Sequence, residues 1–262
     1  MLDRPDPATA AAHARLYDLD LHDDPGDLDL YLALADRADG RVLELAAGTG
    51  RVAVPLAGAG HPVTAVDLDP SMLDRGRARA TAAGVPPDRL TFVEADLLDL
   101  RLADAGTYGL AFIALNSIML LASRDAQRRA IETLAVHLAP GGVAAVDAWL
   151  PDADDLARFD GRVMLEWPRT DPETGTVVTK AGSAQHDAAT NTVNLTAIYE
   201  EGRQGEPPRR WVRHDRLRLI SADELAAFAQ DAGLRVELIA GGYDLHPIAT
   251  GSERAILIAE RP

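Results

Sequence analysis

Cysteine is absent from this chain of 262 residues. That removes disulfides, thiolate nucleophiles and zinc–thiolate sites together, and it fits a protein at work in the cytoplasm. Positive charge is also scarce: 26 Lys and Arg stand against 41 Asp and Glu, a formal net charge of -15. Such a chain repels nucleic-acid phosphates and anionic membranes alike. One basic cluster runs against that balance, made of Arg209, Arg210, Arg213, Arg216 and Arg218. Spread along a single expected strand, it reads as a solvated edge. No apolar run reaches the roughly 20 residues that span a bilayer. The N-terminal stretch lacks the basic-then-apolar order of a signal peptide. Zincin spacing, a calcium loop and a Gly-x-Ser-x-Gly elbow are all missing, so neither a metal nor a serine nucleophile is expected.

About half of the chain is apolar, enough for a sizeable core. Two short helices are expected first, near 9–17 and 28–38. Apolar strands then alternate with amphipathic helices, the pattern of βαβ units and a parallel sheet. The strands are expected over 41–46, 62–67, 90–94, 109–115 and 142–148, the helices over 52–59, 71–83 and 124–138. Gly60 and Gly84 fall where helix C-caps belong, and Pro140-Gly141-Gly142 marks the turn into the fifth strand. The rhythm changes after Trp149. Four strand-like stretches over 162–167, 176–186, 193–200 and 211–220 are separated by turn-formers, which predicts an antiparallel meander. A helix beginning with the capping box Ser221…Glu224 and a last strand, RAILIAERP, restore the βα pattern.

The chemistry concentrates at ELAAGTGR, where a strand turns into a helix. Gly48-Thr49-Gly50 followed by Ala53 satisfies the G-x-G-x-x-G/A fingerprint, with Asp67 at the end of the next strand. Glycines there permit a tight turn and close backbone approach to a ligand. NAD or another adenosyl cofactor would be served equally well. Glu44 lies inside the first strand, where a carboxylate needs partners. A second acid, Asp96, follows the third strand, so Asp67 and Asp96 both stand at carboxyl ends of parallel strands, the ligand-binding edge of such sheets.

Taken in order, ELAAGTGR, VDLDPSML and EADLLDL, then ALNSIMLL and HLAPGGVAAVD, resemble the motifs of class I S-adenosylmethionine-dependent methyltransferases. Ala46 stands where that family more often has glycine. The likeness spans 17–147 and resumes at 221. The meander resembles the insertion of small-molecule N-methyltransferases that modify sugars and glycine. The family has a doubly wound, Rossmann-like seven-stranded α/β sheet. The expected organisation is an N-terminal helical lid (1–40), a cofactor-binding core (41–150 and 217–262) and an antiparallel substrate cap (151–216).

The resemblance implies S-adenosyl-L-methionine as cofactor and S-adenosyl-L-homocysteine as product. By the same likeness, Ala46, Gly48 and Gly50 would cradle the methionyl part, and Arg51 or Tyr17 would meet its carboxylate. Asp67 would take the ribose hydroxyls, Leu68 and Met72 would pack on the adenine, and Asp96, with Leu97 beside it, would take the adenine amino group. Asn116 would offer backbone contact under the sulfonium. The absence of an Asn-Pro-Pro-Tyr-like string agrees with the acidic charge in excluding DNA bases and protein glutamine as acceptors.

Methyl transfer from a sulfonium needs alignment and a dry pocket more than a base. The catalytic candidates are therefore weak: His186, Tyr199 and His214. Met119, Trp149, Tyr199 and Trp211 are the candidate substrate contacts, and His137 reads as packing at a helix end. The expected reaction is methylation of a small organic metabolite at N, O or C, in the manner of natural-product tailoring. Edge strands of the meander offer a surface for a homodimer. Two rival readings stay open: an NAD-dependent oxidoreductase, and a fold that binds the adenosyl cofactor without transferring methyl. Asp96 and the closing strand count against the first.

Overall fold

The computed structural model describes residues 6–23, 25–203 and 205–262. They form two compact units. Among the described residues, the larger comprises 25–150 and 220–262, the smaller 6–23 and 151–219.

The larger unit is built on a seven-stranded sheet. Its strands are β1 (Arg41–Leu45), β2 (Val63–Asp67), β3 (Leu90–Glu94), β4 (Tyr108–Ile113), β5 (Leu138–Trp149), β10 (Arg235–Ala240) and β11 (Arg254–Glu260). Their order is β10-β11-β5-β4-β1-β2-β3. β1 to β5 run parallel, and β11 lies antiparallel between β5 and β10. The chain starts at β1, works outward to β3 and returns on the other side at β4. The crevice where such a sheet binds ligands therefore opens at the carboxyl ends of β1 and β4.

Alternation along the strands supplies two apolar faces, and helices cover both. On one face Val42, Val63, Ala65, Leu110, Phe112 and Ile256 join a core with Leu30, Tyr31 and Leu34 of α2 (Leu28–Ala38) and Leu56 of α3 (Ala53–Gly58). The Tyr31 ring stacks on Phe112 at 4.4 Å. Ala80 of α4 (Pro70–Ala82) reaches the same core. The other face carries α5 (Arg124–His137) against β4 and β5, and α7 (Ala222–Asp231) against β10 and β11.

The smaller unit is the expected meander, a sheet in the order β6-β7-β8-β9. Its strands are β6 (Asp160–Thr170), β7 (Val177–Asp187), β8 (Thr192–Gly202) and β9 (Arg209–Arg218), all antiparallel. The short helix α6 (Ala153–Arg158) precedes it. Helix α1 (Pro7–Asp20) belongs to this unit: its Leu16 and Leu19 pack on Val178 and Tyr199. Polar ties hold it there, since Arg15 pairs with Glu201 at 2.7 Å and with the buried Asp171, and Lys180 meets Asp20 at 2.5 Å. The arginine-rich β9 is an edge strand, with Arg210 paired to Glu200 and Arg213 to Asp215.

Four expectations need correction. The expected lid over 1–40 is divided, because the apolar stripe of α2 is buried in the sheet core while α1 is tied to the meander. The return to the larger unit falls at Ile220 rather than at 217, since β8 and β9 pair through Arg218. α1 begins at Pro7, not near residue 9, because Asp6 caps it by accepting from the amides of Ala8 and Thr9 and proline suits the first helical turn. β5 begins at Leu138, ahead of the glycines; Pro140-Gly141-Gly142 forms a bulge inside the strand, where the pairing with β4 shifts register. Among the described residues no helix is long and apolar enough to cross a membrane.

Candidate active site

The turn after β1 is set by three left-handed residues in alternation: Ala46 at φ 57°, Gly48 at 55° and Gly50 at 71°. Glycine adopts that backbone freely, whereas alanine pays a steric penalty there. The amides of this turn are largely committed inward. Ala47 N–H donates to the Val66 carbonyl at 2.9 Å, Gly48 N–H to Asp67 Oδ2 at 2.7 Å, and Gly50 N–H to the Ala47 carbonyl at 3.0 Å. An anionic pyrophosphate needs such donors. With these three turned inward, the turn offers a pyrophosphate fewer donors, which adds to the weight that Asp96 and the closing strand put against NAD.

The surroundings are rich in acids, the sign opposite to a cation. Asp67 ends β2, and its second oxygen accepts from Asp69 N–H at 2.9 Å. Each carboxylate oxygen keeps acceptor capacity for a vicinal diol. Burial raises the Asp67 pKa above its ordinary value, opposed by these backbone amides. Glu44, only 3% exposed, shares its face of β1 with Val42 and pairs in register with Phe112. Burial pushes its pKa up to about 8, with the Arg51 charge and the Ala53 amide working the other way. Its Oε2 and the Tyr31 hydroxyl are buried without a hydrogen-bond partner among the described residues. Burial, with the nearby Asp147 and Asp27 carboxylates, raises the Tyr31 pKa well above the ordinary phenol value. Asp27 is fully buried and grips Arg51 with two bonds of 2.6 Å.

Asp147, 0% exposed, sits near the end of β5. It accepts from Arg254 Nε at 2.9 Å, Arg254 Nη2 at 2.8 Å and the Tyr243 hydroxyl at 2.8 Å. Burial, followed by the Asp147 charge, raises the Tyr243 pKa above its ordinary value.

The expected cofactor residues of this unit thus gather at one sheet edge, with particular differences. Leu68 is 52% exposed, while Met72 is buried in α4. Asp96 is exposed, accepting from Leu98 N–H at 2.8 Å, and the Leu97 carbonyl accepts from the Thr133 hydroxyl at 3.0 Å. Arg51, expected on a ligand carboxylate, is held by Asp27. Asn116 uses its side chain inside the protein, accepting from Trp149 N–H at 2.6 Å and from Arg254 Nη2 at 3.3 Å. Trp149 is half-buried, and Met119 is fully buried in a 3-10 turn over Ser117–Leu120.

Tyr17, His186, Tyr199, Trp211 and His214 belong to the smaller unit. Tyr199 is nearly buried against Trp167, and burial with Asp20 beside it raises its pKa above the ordinary value, which suits a proton holder rather than a neutral-pH base. Trp211 donates to Glu201 at 3.2 Å, and the exposed His214 bonds the Thr196 hydroxyl at 3.0 Å. The amide of His186 donates to Phe159. His137, on α5, is fully buried, its Nδ1 bonded to the Thr133 carbonyl at 2.7 Å. Asp27, Asp147 and Arg254 went unrecognised in the sequence. Asp147 carried a legible signal, an acid inside the apolar run VAAVDAW, of the kind that flagged Glu44.

A doubly wound sheet with an acid-rimmed glycine turn at its switch point defines a nucleotide-type cofactor fold, and the inward-turned amides count against a pyrophosphate. Comparison with known proteins agrees. The family model described as Methyltransferase domain matches residues 42–142. The cypemycin N-terminal methyltransferase of Streptomyces sp is 28% identical over 229 residues, 85% of this chain and 84% of that one. The CcbJ methyltransferase of Streptomyces caelestis superposes with a TM-score of 0.76 at 26% identity, covering 90% of each chain. The sugar N-methyltransferase KedS8 of Streptoalloteichus sp shares the fold, with a TM-score of 0.73 at 21% identity over 94% of this chain and 92% of that one. Three uncharacterized mycobacterial proteins are 55% identical over 49 residues, so the match spans 18% of their length. The chain is thus similar, in sequence and in fold, to S-adenosylmethionine-dependent methyltransferases.

Proposed function

We propose that this protein transfers the methyl group of S-adenosylmethionine to an amine of a small natural product. The observation that carries the reading is a glycine turn whose amides face inward, with the half-buried Asp67 bound to it and the buried acids Asp27, Glu44 and Asp147 in the same unit. When bound, the cofactor supplies a methyl group on a positively charged sulfur. Asp67 would hold the ribose diol, Leu68 and Met72 the adenine faces, and Asp96 with Leu97 the adenine edge. Backbone at Ala46, Gly48, Gly50 and Asn116 would receive the methionyl end, and Arg51 its carboxylate. The net charge of -15 concentrates cationic acceptors near the protein. The likeness to an N-terminal methyltransferase over 85% of the chain supports nitrogen over oxygen or carbon.

An amine arrives protonated and attacks as the free base, so the chain must receive one proton per turnover. Glu44, whose pKa burial pushes up to about 8, already holds its own proton at neutral pH and is not that acceptor. Candidate acceptor contacts are Tyr199, Trp211, His186 and His214 within the smaller unit, and Met119 and Trp149 within the larger one. The test is transfer of labelled methyl to a panel of amino sugars and free N-terminal peptides, with phenols and carbon acids alongside. Uptake confined to amines supports the proposal. Uptake by phenols or carbon acids alone overturns the choice of nitrogen.

A further inference from the structure

The chain leaves β4 through two successive left-handed residues, Leu115 at φ 47° and Asn116 at φ 65°. Neither is glycine, and a leucine in this region persists only where the surroundings over-determine it. They do so here through three segments remote in sequence. Leu115 N–H donates to Asp147 Oδ2 at 3.2 Å, and Asn116 N–H donates to the Asp147 carbonyl at 3.2 Å. Asn116 Oδ1 accepts from Trp149 N–H, on β5, and from Arg254, which opens β11. Asp147 itself is fixed by both prongs of Arg254 and by the Tyr243 hydroxyl, and the guanidinium lies 4.9 Å from the Tyr243 ring centre. Because Leu45 pairs with Ile113, this turn neighbours the glycine turn at the sheet edge.

We propose that Asp147, Tyr243 and Arg254 are positioning residues: they clamp the Leu115–Asn116 turn in its left-handed form and so preset the surface that receives the methionyl end of the cofactor. The inference rests on the cofactor reading above. A purely structural role would pin β11 to β5 without regard to backbone freedom at Leu115. The two roles separate through glycine, which adopts the left-handed backbone unaided.

The test is a double-mutant cycle of Tyr243→Phe with Leu115→Gly, read by calorimetric affinity for S-adenosylhomocysteine and by hydrogen exchange at the amides of residues 115 and 116. Loss of one bond to a buried carboxylate should weaken S-adenosylhomocysteine about tenfold in the wild-type background, with faster exchange confined to the turn. With glycine at 115 the same change should cost about twofold or less, a non-additivity that marks shared function. Equal costs in both backgrounds, or unchanged affinity, would overturn the clamp. Should Tyr243→Phe fail to fold, Arg254→Lys keeps the charge, gives up the two-pronged grip and is held to the same criteria. If the wild type binds no S-adenosylhomocysteine, the cofactor reading fails by itself. Exchange then decides the clamp: acceleration at 115 and 116 supports it, and unchanged protection overturns it.

Discussion

Glu44→Gln tests the electrostatics of the site without altering its shape. The native carboxyl titrates near 8 in the folded protein, chiefly from burial, against an ordinary 4.5. Between those values the folded protein holds a proton that the unfolded chain has released. Stability therefore falls as pH rises, by about 1.4 kcal/mol per pH unit, and levels off above 8. Over the gap of about 3.5 units the accumulated loss is on the order of 5 kcal/mol. Glutamine keeps the volume and cannot ionise, so its contribution is flat. The assay is urea unfolding of both proteins, without ligand, at intervals from pH 5 to 9. Subtracting the two curves cancels every other titrating group. The variant should gain steadily on the wild type as pH rises. A difference independent of pH would refute the reasoning, because it would mean that Glu44 ionises in the folded protein as it does in the unfolded chain.

Two further outcomes follow from single residues. Ala46→Gly relieves a left-handed alanine at φ 57°; the steric gain exceeds the added chain entropy by about 0.5 kcal/mol. A thermal midpoint higher by a degree or two is expected, and a lower one would contradict it. Arg15→Gln strips the buried Asp171 of its ion-pair partner, leaving it the Glu173 amide, and breaks the bond to Glu201. It should destabilise the smaller unit by about 3 kcal/mol in denaturant unfolding, and a loss below about 1 kcal/mol would show that Asp171 is satisfied by other means.

The fold was legible where one local signal decided it. Leu28–Ala38 and Leu90–Glu94 match their expected bounds because hydrophobic period and flanking turn-formers agree there. The bulge in β5 was not legible, since Pro140-Gly141-Gly142 signals a turn equally well whether the strand stops or runs through it. The division of the N-terminal helices was hidden for another reason. Which surface an apolar stripe covers depends on partners far along the chain, such as Phe112 for Tyr31 and Val178 for the α1 leucines. At the site, residues next to a turn or strand end could be proposed, as with Gly48, Asp67 and Asp96. Arg254 and Tyr243 lie about a hundred residues from Asp147, and only the closed sheet brings them together.

The central claim is that the glycine turn and Asp67 hold S-adenosylmethionine. Calorimetric titration of the purified protein with S-adenosylhomocysteine, and separately with NAD, tests it directly, with Asp67→Ala alongside. The account predicts binding of S-adenosylhomocysteine, none of NAD, and a loss of at least about tenfold in the variant, since bonds to a charged acceptor contribute about 1.5–3 kcal/mol. Preference for NAD, or an Asp67→Ala protein that binds S-adenosylhomocysteine as tightly as the wild type, would contradict it.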